Sequence, residues 1–126
     1  MSPTVTEPTM IGLSERTHAG LKRLKDDEHF NQMADAYRFG VALALASGVI
    51  PDELQGANTI FSVATIDPNR EIYTAIKSLI TTGDVPVYRW AERLAEWGVT
   101  ELIRRSEAGE IDFASIFKQV QEGIQE

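Results

Sequence analysis

The chain has 126 residues and a formal net charge of −7, a length that suits a single compact domain. Hydrophobic residues make up 43% of the chain and charged residues 25%, which is typical of a globular protein and argues against a disordered or fibrous chain. The negative charge opposes bulk attraction to nucleic acid or anionic membrane, so any DNA contact must be local. Cysteine is absent, which excludes disulfides, thiolate nucleophiles and Cys-ligated metals.

The first eight residues carry two prolines and several Ser and Thr residues, a composition that predicts an extended, mobile arm over residues 1–8. This segment has neither the cationic start nor the continuous apolar run of a secretory signal. No later segment approaches the roughly 20 apolar residues that a membrane helix needs. We therefore expect a cytoplasmic protein with no membrane association.

A strand and a cationic helix are predicted next. Residues 9–13 favour a short strand, and Ser14 is a suitable N-cap for a first helix that reaches about Asp26. Thr17, Leu21 and Leu24 share one face of this helix. Cationic residues flank that face on both sides: Arg16 and Arg23 on one flank, and Lys22, Lys25 and His18 on the other.

A second helix, from about Phe30 to Ser47, is apolar on nearly every side, with Gly48 as its C-cap and Pro51 beyond it. Ala36, Gly40 and Ala44 give it a small-residue track along which another helix can approach closely. A helix without a polar face must be covered, either by the rest of this chain or by a second copy. We expect a homo-oligomer, with an interface formed by Tyr37, Phe39, Gly40, Leu43 and Leu45.

Residues 52–126 are predicted to form a small helical extension within the same compact domain. After a loop over residues 52–58, the run TIFSVATI (59–66) favours a short strand. Asp67 is expected to cap a third helix that begins at Pro68, and the longest helix starts at Pro86 and reaches about residue 106 or 108. Gly98 is a candidate position for a bend or a break in it. A last helical stripe contains Phe113, Ile116, Phe117, Val120 and Ile124.

The order of strand, helix, turn and helix over residues 9–51 resembles the ribbon-helix-helix plan, in which two chains pair their strands and interlock their second helices. A more specific set of residues is similar to the DNA sulfur modification protein DndE family of bacterial phosphorothioation systems. That set is Leu13, Ser14, Leu21, Leu24, Lys25, Arg38, Phe39, Leu43, Leu45 and Ala46. The resemblance implies an oligomeric, mainly helical, DNA-associated subunit that works beside larger enzymes and has no catalysis of its own.

The fold class that we expect is therefore mainly α. It consists of a ribbon-helix-helix-like oligomerisation unit over residues 9–51, followed by a helical extension with one short strand. The strand offers only Met10 and Gly12 on the face opposite Ile11 and Leu13, which equips it poorly for reading base edges in a groove.

The first helix is the candidate nucleic-acid contact. Four cations, Arg16, Lys22, Arg23 and Lys25, are expected to touch phosphate, and their affinity should depend on salt because each contact releases counterions. The alternative is a solvated face whose Lys and Arg stems cover the edges of the apolar stripe. Carboxylates close to both ends of the helix cancel much of the local field, which favours that alternative.

The remaining candidates have structural explanations. Arg38, within the apolar second helix, is expected to pair with Asp35 from the preceding turn. Glu92 and Glu96 are predicted to face outward and to pair with neighbouring arginines, as Glu101 should with Arg105. Trp90 and Trp97 are predicted to pack in the core. The acidic turn over residues 26–28 with His29 lacks the ligand spacing of a calcium loop.

The leading hypothesis is a non-enzymatic, oligomeric, DNA-associated accessory protein of a prokaryotic DNA-modification or defence system. It predicts a contact with the DNA backbone and with larger proteins of that system. The first alternative is a helical adaptor that binds another protein through its acidic surface and the stripe over residues 113–124. The second is a ribbon-helix-helix transcriptional regulator. No catalytic triad, metal set or cofactor loop can be assembled, so neither an enzyme nor a cofactor is expected.

Overall fold

A computed structural model describes residues 5–109, and within that range the protein is mainly helical with one two-stranded antiparallel sheet. The predicted stripe over residues 113–124 lies outside the described residues. The elements in chain order are β1 (Met10–Leu13), α1 (Glu15–Asp26), α2 (Met33–Ser47), β2 (Asn58–Ser62), α3 (Val63–Ile66), α4 (Glu71–Leu79) and α5 (Val87–Glu107).

The strand at the start of the chain pairs with β2 of the same chain. The register places Ile11 opposite Phe61 and Leu13 opposite Asn58, with an irregularity between Ile11 and Gly12. The ribbon-helix-helix detail, in which this strand pairs with its copy in a second chain, is not confirmed.

The predicted strand over residues 59–66 is correct only in its first half. The strand ends at Ser62 because the Oγ of Ser62 accepts a hydrogen bond from the backbone N–H of Thr65 at 3.1 Å, which begins the single turn of α3. A serine that caps a helix competes locally with continuation of a strand.

The helix α1 begins as predicted. The Oγ of Ser14 accepts from the backbone N–H of Thr17 at 3.3 Å, and Leu21 and Leu24 are buried. The helix packs closely on α5 at Gly20, where an added Cβ would lie 2.2 Å from the Cδ1 of Ile103.

The apolar helix α2 is covered by α5 of the same chain. The two helices cross at a pair of glycines, and a Cβ on Gly98 would lie 1.8 Å from the carbonyl oxygen of Gly40. Gly98 neither ends nor interrupts α5, which is continuous. The predicted small-residue track is thus where another helix approaches, but that helix belongs to the same chain.

This crossing changes the interpretation of the predicted oligomer interface. Tyr37, Gly40 and Leu43 lie in the protein's own core, so they are not on the described surface. Phe39 and Leu45 remain half-buried. The apolar character of α2 is therefore explained largely by intramolecular packing, because a long helix from the second half of the chain supplies the cover.

The helix α4 begins at Glu71, later than the predicted start at Pro68. Arg70, just before it, has a left-handed backbone with a φ of 57°. Asp67 nevertheless caps the helix, since its carboxylate accepts from the backbone N–H groups of Ile72 and Tyr73, both at 2.9 Å.

Part of the predicted arm over residues 1–8 is docked onto α5. The carboxylate of Glu7 accepts from the backbone N–H of Val87 at 3.0 Å and of Tyr88 at 2.9 Å. These are amides of the first turn of α5, which have no acceptor within the helix. A carboxylate at a helix N-terminus is also favoured by the helix dipole.

Candidate nucleic-acid interface

The four predicted phosphate contacts lie on the outer surface of α1. Its buried face contains Thr17, Gly20, Leu21 and Leu24, whereas Arg16, Lys22, Arg23 and Lys25 are all exposed. One short helix thus presents four cations to solvent.

Only one of these four cations has an ion-pair partner among the described residues. The guanidinium Nη2 of Arg23 lies 3.4 Å from the Oε1 of Glu107, and both side chains are more than 60% exposed. An exposed pair of this kind contributes about 0–1 kcal/mol, because water screens it and two long side chains must be ordered. Arg16, Lys22 and Lys25 keep their charges available to a ligand.

His18 lies next to these cations but adds no charge at neutral pH. Partial burial lowers the pKa of its imidazole, and the neighbouring Lys22 lowers this pKa further. Protonation of His18 therefore requires a pH below its ordinary value of 6.5.

A groove of about 470 Å³ runs between α1 and α5 beside this surface, and its lining includes Arg16, Arg23, Glu96 and Glu107. The carboxylate of Glu96 is already engaged. Its Oε1 accepts from the backbone N–H of Ser14 at 2.9 Å, and its Oε2 accepts from the Ser14 hydroxyl at 2.8 Å. The hydroxyl of Thr17 donates to the same Oε2. Glu96 therefore fixes the start of α1 and does not form the surface ion pair that the sequence suggested.

The outward orientation predicted for Glu92 is wrong. Its side chain is buried, and its Oε2 accepts from the backbone N–H of Gly12 at 2.9 Å. The predicted ion pair with Arg89 does form, at 2.8 Å, between the buried carboxylate and an arginine side chain that is 49% exposed. Helical periodicity correctly placed Glu92 and Glu96 on one face of α5, but it carried no information that β1 and the start of α1 would pack against that face.

Other predicted side-chain roles agree with the structure. Arg38 pairs with Asp35 at 2.7 Å and also donates to the carbonyl oxygen of Thr65 at 3.0 Å. Trp90 is 8% exposed and belongs to the core, whereas Trp97 packs against the core from a half-buried position.

The predicted pair of Glu101 with Arg105 is present at 3.0 Å, and Arg104 joins it at 2.7 Å. The hydrogen bond from Arg104, together with that from Arg105, holds the pKa of Glu101 below its ordinary range.

Asp67, which was predicted from the sequence only as a helix cap, also forms a hydrogen bond with a tyrosine. The hydroxyl of Tyr88 donates to the Oδ2 of Asp67 at 2.8 Å. Burial raises the pKa of Tyr88, and the hydrogen bond to Asp67 raises this pKa further. With two backbone amides and one phenol as donors, Asp67 joins α4 to α5, and this arrangement accounts for its burial.

Among residues 5–109, no group of three or more His, Asp or Glu side chains converges as a metal site. Within the same range, no helix has the length and apolarity needed to cross a membrane. Comparison with protein families, curated proteins and solved structures found no match to this chain.

Proposed function

We propose that this chain is a non-enzymatic accessory protein that contacts the phosphate backbone of DNA through α1, without sequence preference. The observation that carries the proposal is the set of exposed cations on this helix, in a segment with no carboxylate between Arg16 and Lys25. A local cationic surface can bind DNA despite a net charge of −7, because the gain comes from counterions released at each contacted phosphate.

The resemblance of residues 13–46 to the DNA sulfur modification family supports a setting in a prokaryotic DNA-modification or defence system. In that setting the chain works beside larger proteins that carry out the chemistry.

Self-association belongs to the same proposal, and the half-buried apolar side chains Phe39, Ala42 and Leu45 on α2 are the candidate contact. Sedimentation of the wild type against Leu45→Glu checks this part, and a wild-type protein that is monomeric at all concentrations contradicts it.

The phosphate contact is tested by comparing Lys22→Glu with Lys77→Glu. Both lysines are exposed and lie on helices, so the two variants have the same change in net charge at different places. Binding to a 20-base-pair duplex is measured by fluorescence anisotropy over a salt series. We expect Lys22→Glu to weaken binding and to reduce the slope of log K against log salt by about 1. We expect Lys77→Glu to leave that slope unchanged.

Equal effects of the two substitutions contradict a contact at α1, since a bulk charge effect does not depend on position. Thermal unfolding of both variants is the control for folding. Because both lysines are exposed, we expect changes within about 0.5 kcal/mol in the free energy of unfolding.

A second candidate function is an adaptor that binds a basic protein segment. It is favoured by the net charge of −7 and by Ile50, whose side chain is 64% exposed next to Asp52 and Glu53. An apolar contact rimmed by carboxylates fits a cationic amphipathic helix. This function predicts no gel shift with DNA even at low salt. It also predicts binding of a lysine-rich amphipathic peptide that Ile50→Glu abolishes.

A further inference from the structure

The exposed cations of α1 are arranged on two sides of a ridge that passes through Ala19. At 100° per residue, Arg16 and Arg23 project to one side of Ala19, and Lys22 and Lys25 project to the other. Arg16 and Arg23 line the protein groove between α1 and α5, and Glu107 lines the same groove. The buried face of the helix is on the opposite side from Ala19, so the ridge is the outermost part of α1.

This arrangement of cations fits the dimensions of the major groove of duplex DNA. An α-helix with its side chains is about 10–12 Å across. The major groove of B-form DNA is about 12 Å wide and has a phosphate backbone along each wall. A helix lying in that groove brings cations on both of its edges to phosphates of both strands at once. A helix lying on one backbone uses only one edge.

We infer that α1 inserts into the major groove of duplex DNA, with the methyl group of Ala19 toward the groove floor and the two cationic edges toward the two backbones. The inference rests on the proposed function and names its substrate as B-form duplex. The major groove of A-form RNA is too deep and narrow for such an entry. Duplex RNA and single-stranded DNA are therefore expected to bind more weakly.

The acidic residues at the two ends of the ridge are compatible with a position of α1 in the major groove. Glu15 and Asp26, one at each end of α1, are exposed on the Ala19 side of the helix. In a groove they face base edges, where a carboxylate can accept a hydrogen bond from the N4 amino group of cytosine. They are too few to specify a sequence, in agreement with a contact made mainly to phosphates.

The test uses Ala19→Glu and Ala64→Glu, since both alanines are exposed and each substitution adds one negative charge. Binding is measured for a 20-base-pair DNA duplex, an RNA duplex of the same sequence and the single DNA strand. We expect the wild type to prefer the DNA duplex over the RNA duplex by roughly tenfold or more. We expect Ala19→Glu to weaken DNA binding by roughly tenfold, and Ala64→Glu to weaken it by less than about threefold.

A neutral variant, Ala19→Leu, tests the effect of side-chain size without a change of charge, because its larger apolar side chain fills the space at the groove floor and cannot hydrogen-bond to base edges. We expect it to weaken duplex binding as well. Equal binding of DNA and RNA duplexes, with Ala19→Leu indistinguishable from the wild type, overturns groove insertion. If Lys22→Glu still weakens binding in that case, the proposed phosphate contact stands. Absence of binding to any of the three nucleic acids overturns both.

Discussion

Replacing Gly98 with alanine is expected to destabilise the protein, although alanine is the better helix former. A Cβ on Gly98 would lie 1.8 Å from the carbonyl oxygen of Gly40 and 2.6 Å from its Cα. Both are backbone atoms of α2, and they cannot rotate away as a flexible side chain can. The methyl group therefore forces α2 and α5 apart at the centre of the core.

The magnitude follows from two opposing terms. Overpacking of a core costs about 1–3 kcal/mol, and a contact with backbone places this substitution at the upper end, about 3 kcal/mol. Alanine in place of glycine regains about 1 kcal/mol of helix propensity. The free energy of unfolding should fall by about 2 kcal/mol, which for a chain of this size lowers the melting temperature by about 8 °C.

Gly20→Ala is the matched control, because Gly20 is also a buried glycine within a helix. There the added Cβ would meet the Cδ1 of Ile103 at 2.2 Å, which is the end of a flexible side chain. A change of rotamer relieves that contact at about 1 kcal/mol, close to the gain in helix propensity. Urea and thermal denaturation followed by circular dichroism measure both variants. A Gly98→Ala protein as stable as Gly20→Ala, or more stable, refutes the close crossing of α2 and α5.

Three further predictions concern carboxylates. Glu92→Ala leaves the buried N–H of Gly12 without its acceptor and should lower the free energy of unfolding by about 1–3 kcal/mol; Glu92→Gln retains an acceptor and should cost less in the same urea titration. The arginine partners of Glu101 depress its pKa below 4.5, so its stabilisation is present above that pH and is lost as the pH falls through the lower folded-state value. The destabilisation by Glu101→Gln should therefore be largest at neutral pH and should shrink as the pH falls below 4.5, and a loss independent of pH contradicts this. Glu107→Gln frees Arg23 from its ion pair and should strengthen DNA binding at low salt, whereas weaker binding argues against phosphate at this edge of α1.

Local signals in the sequence predicted the elements that depend on neighbouring residues alone. Ser14 caps α1 and Gly48 ends α2 with a left-handed backbone, as their residue types indicate. The ion pair of Arg38 with Asp35 lies within one helical turn, so helical spacing was sufficient to predict it. The exposure of the α1 cations also followed from periodicity, because the apolar face of that helix is narrow.

The positions that the sequence misplaced depend on contacts between distant parts of the chain. Glu92 and Glu96 are about 80 residues from the backbone and side-chain groups of Gly12 and Ser14 that they accept from. From helical periodicity alone, a carboxylate is predicted to lie on the surface. The periodicity carries no information about a distant backbone amide that donates a hydrogen bond to the carboxylate in the interior. The docking of Glu7 on the first turn of α5 was missed for the same reason.

The sequence by itself determined that the protein is mainly helical, where α1 and α5 begin and end, and that α2 must be covered on nearly every side. Only the tertiary structure decided what covers it. An apolar surface is stabilised equally by any apolar partner, since the hydrophobic effect has no direction. The choice of partner depends on shape, and here the absence of side chains at Gly40 and Gly98 lets α5 of the same chain approach to backbone contact.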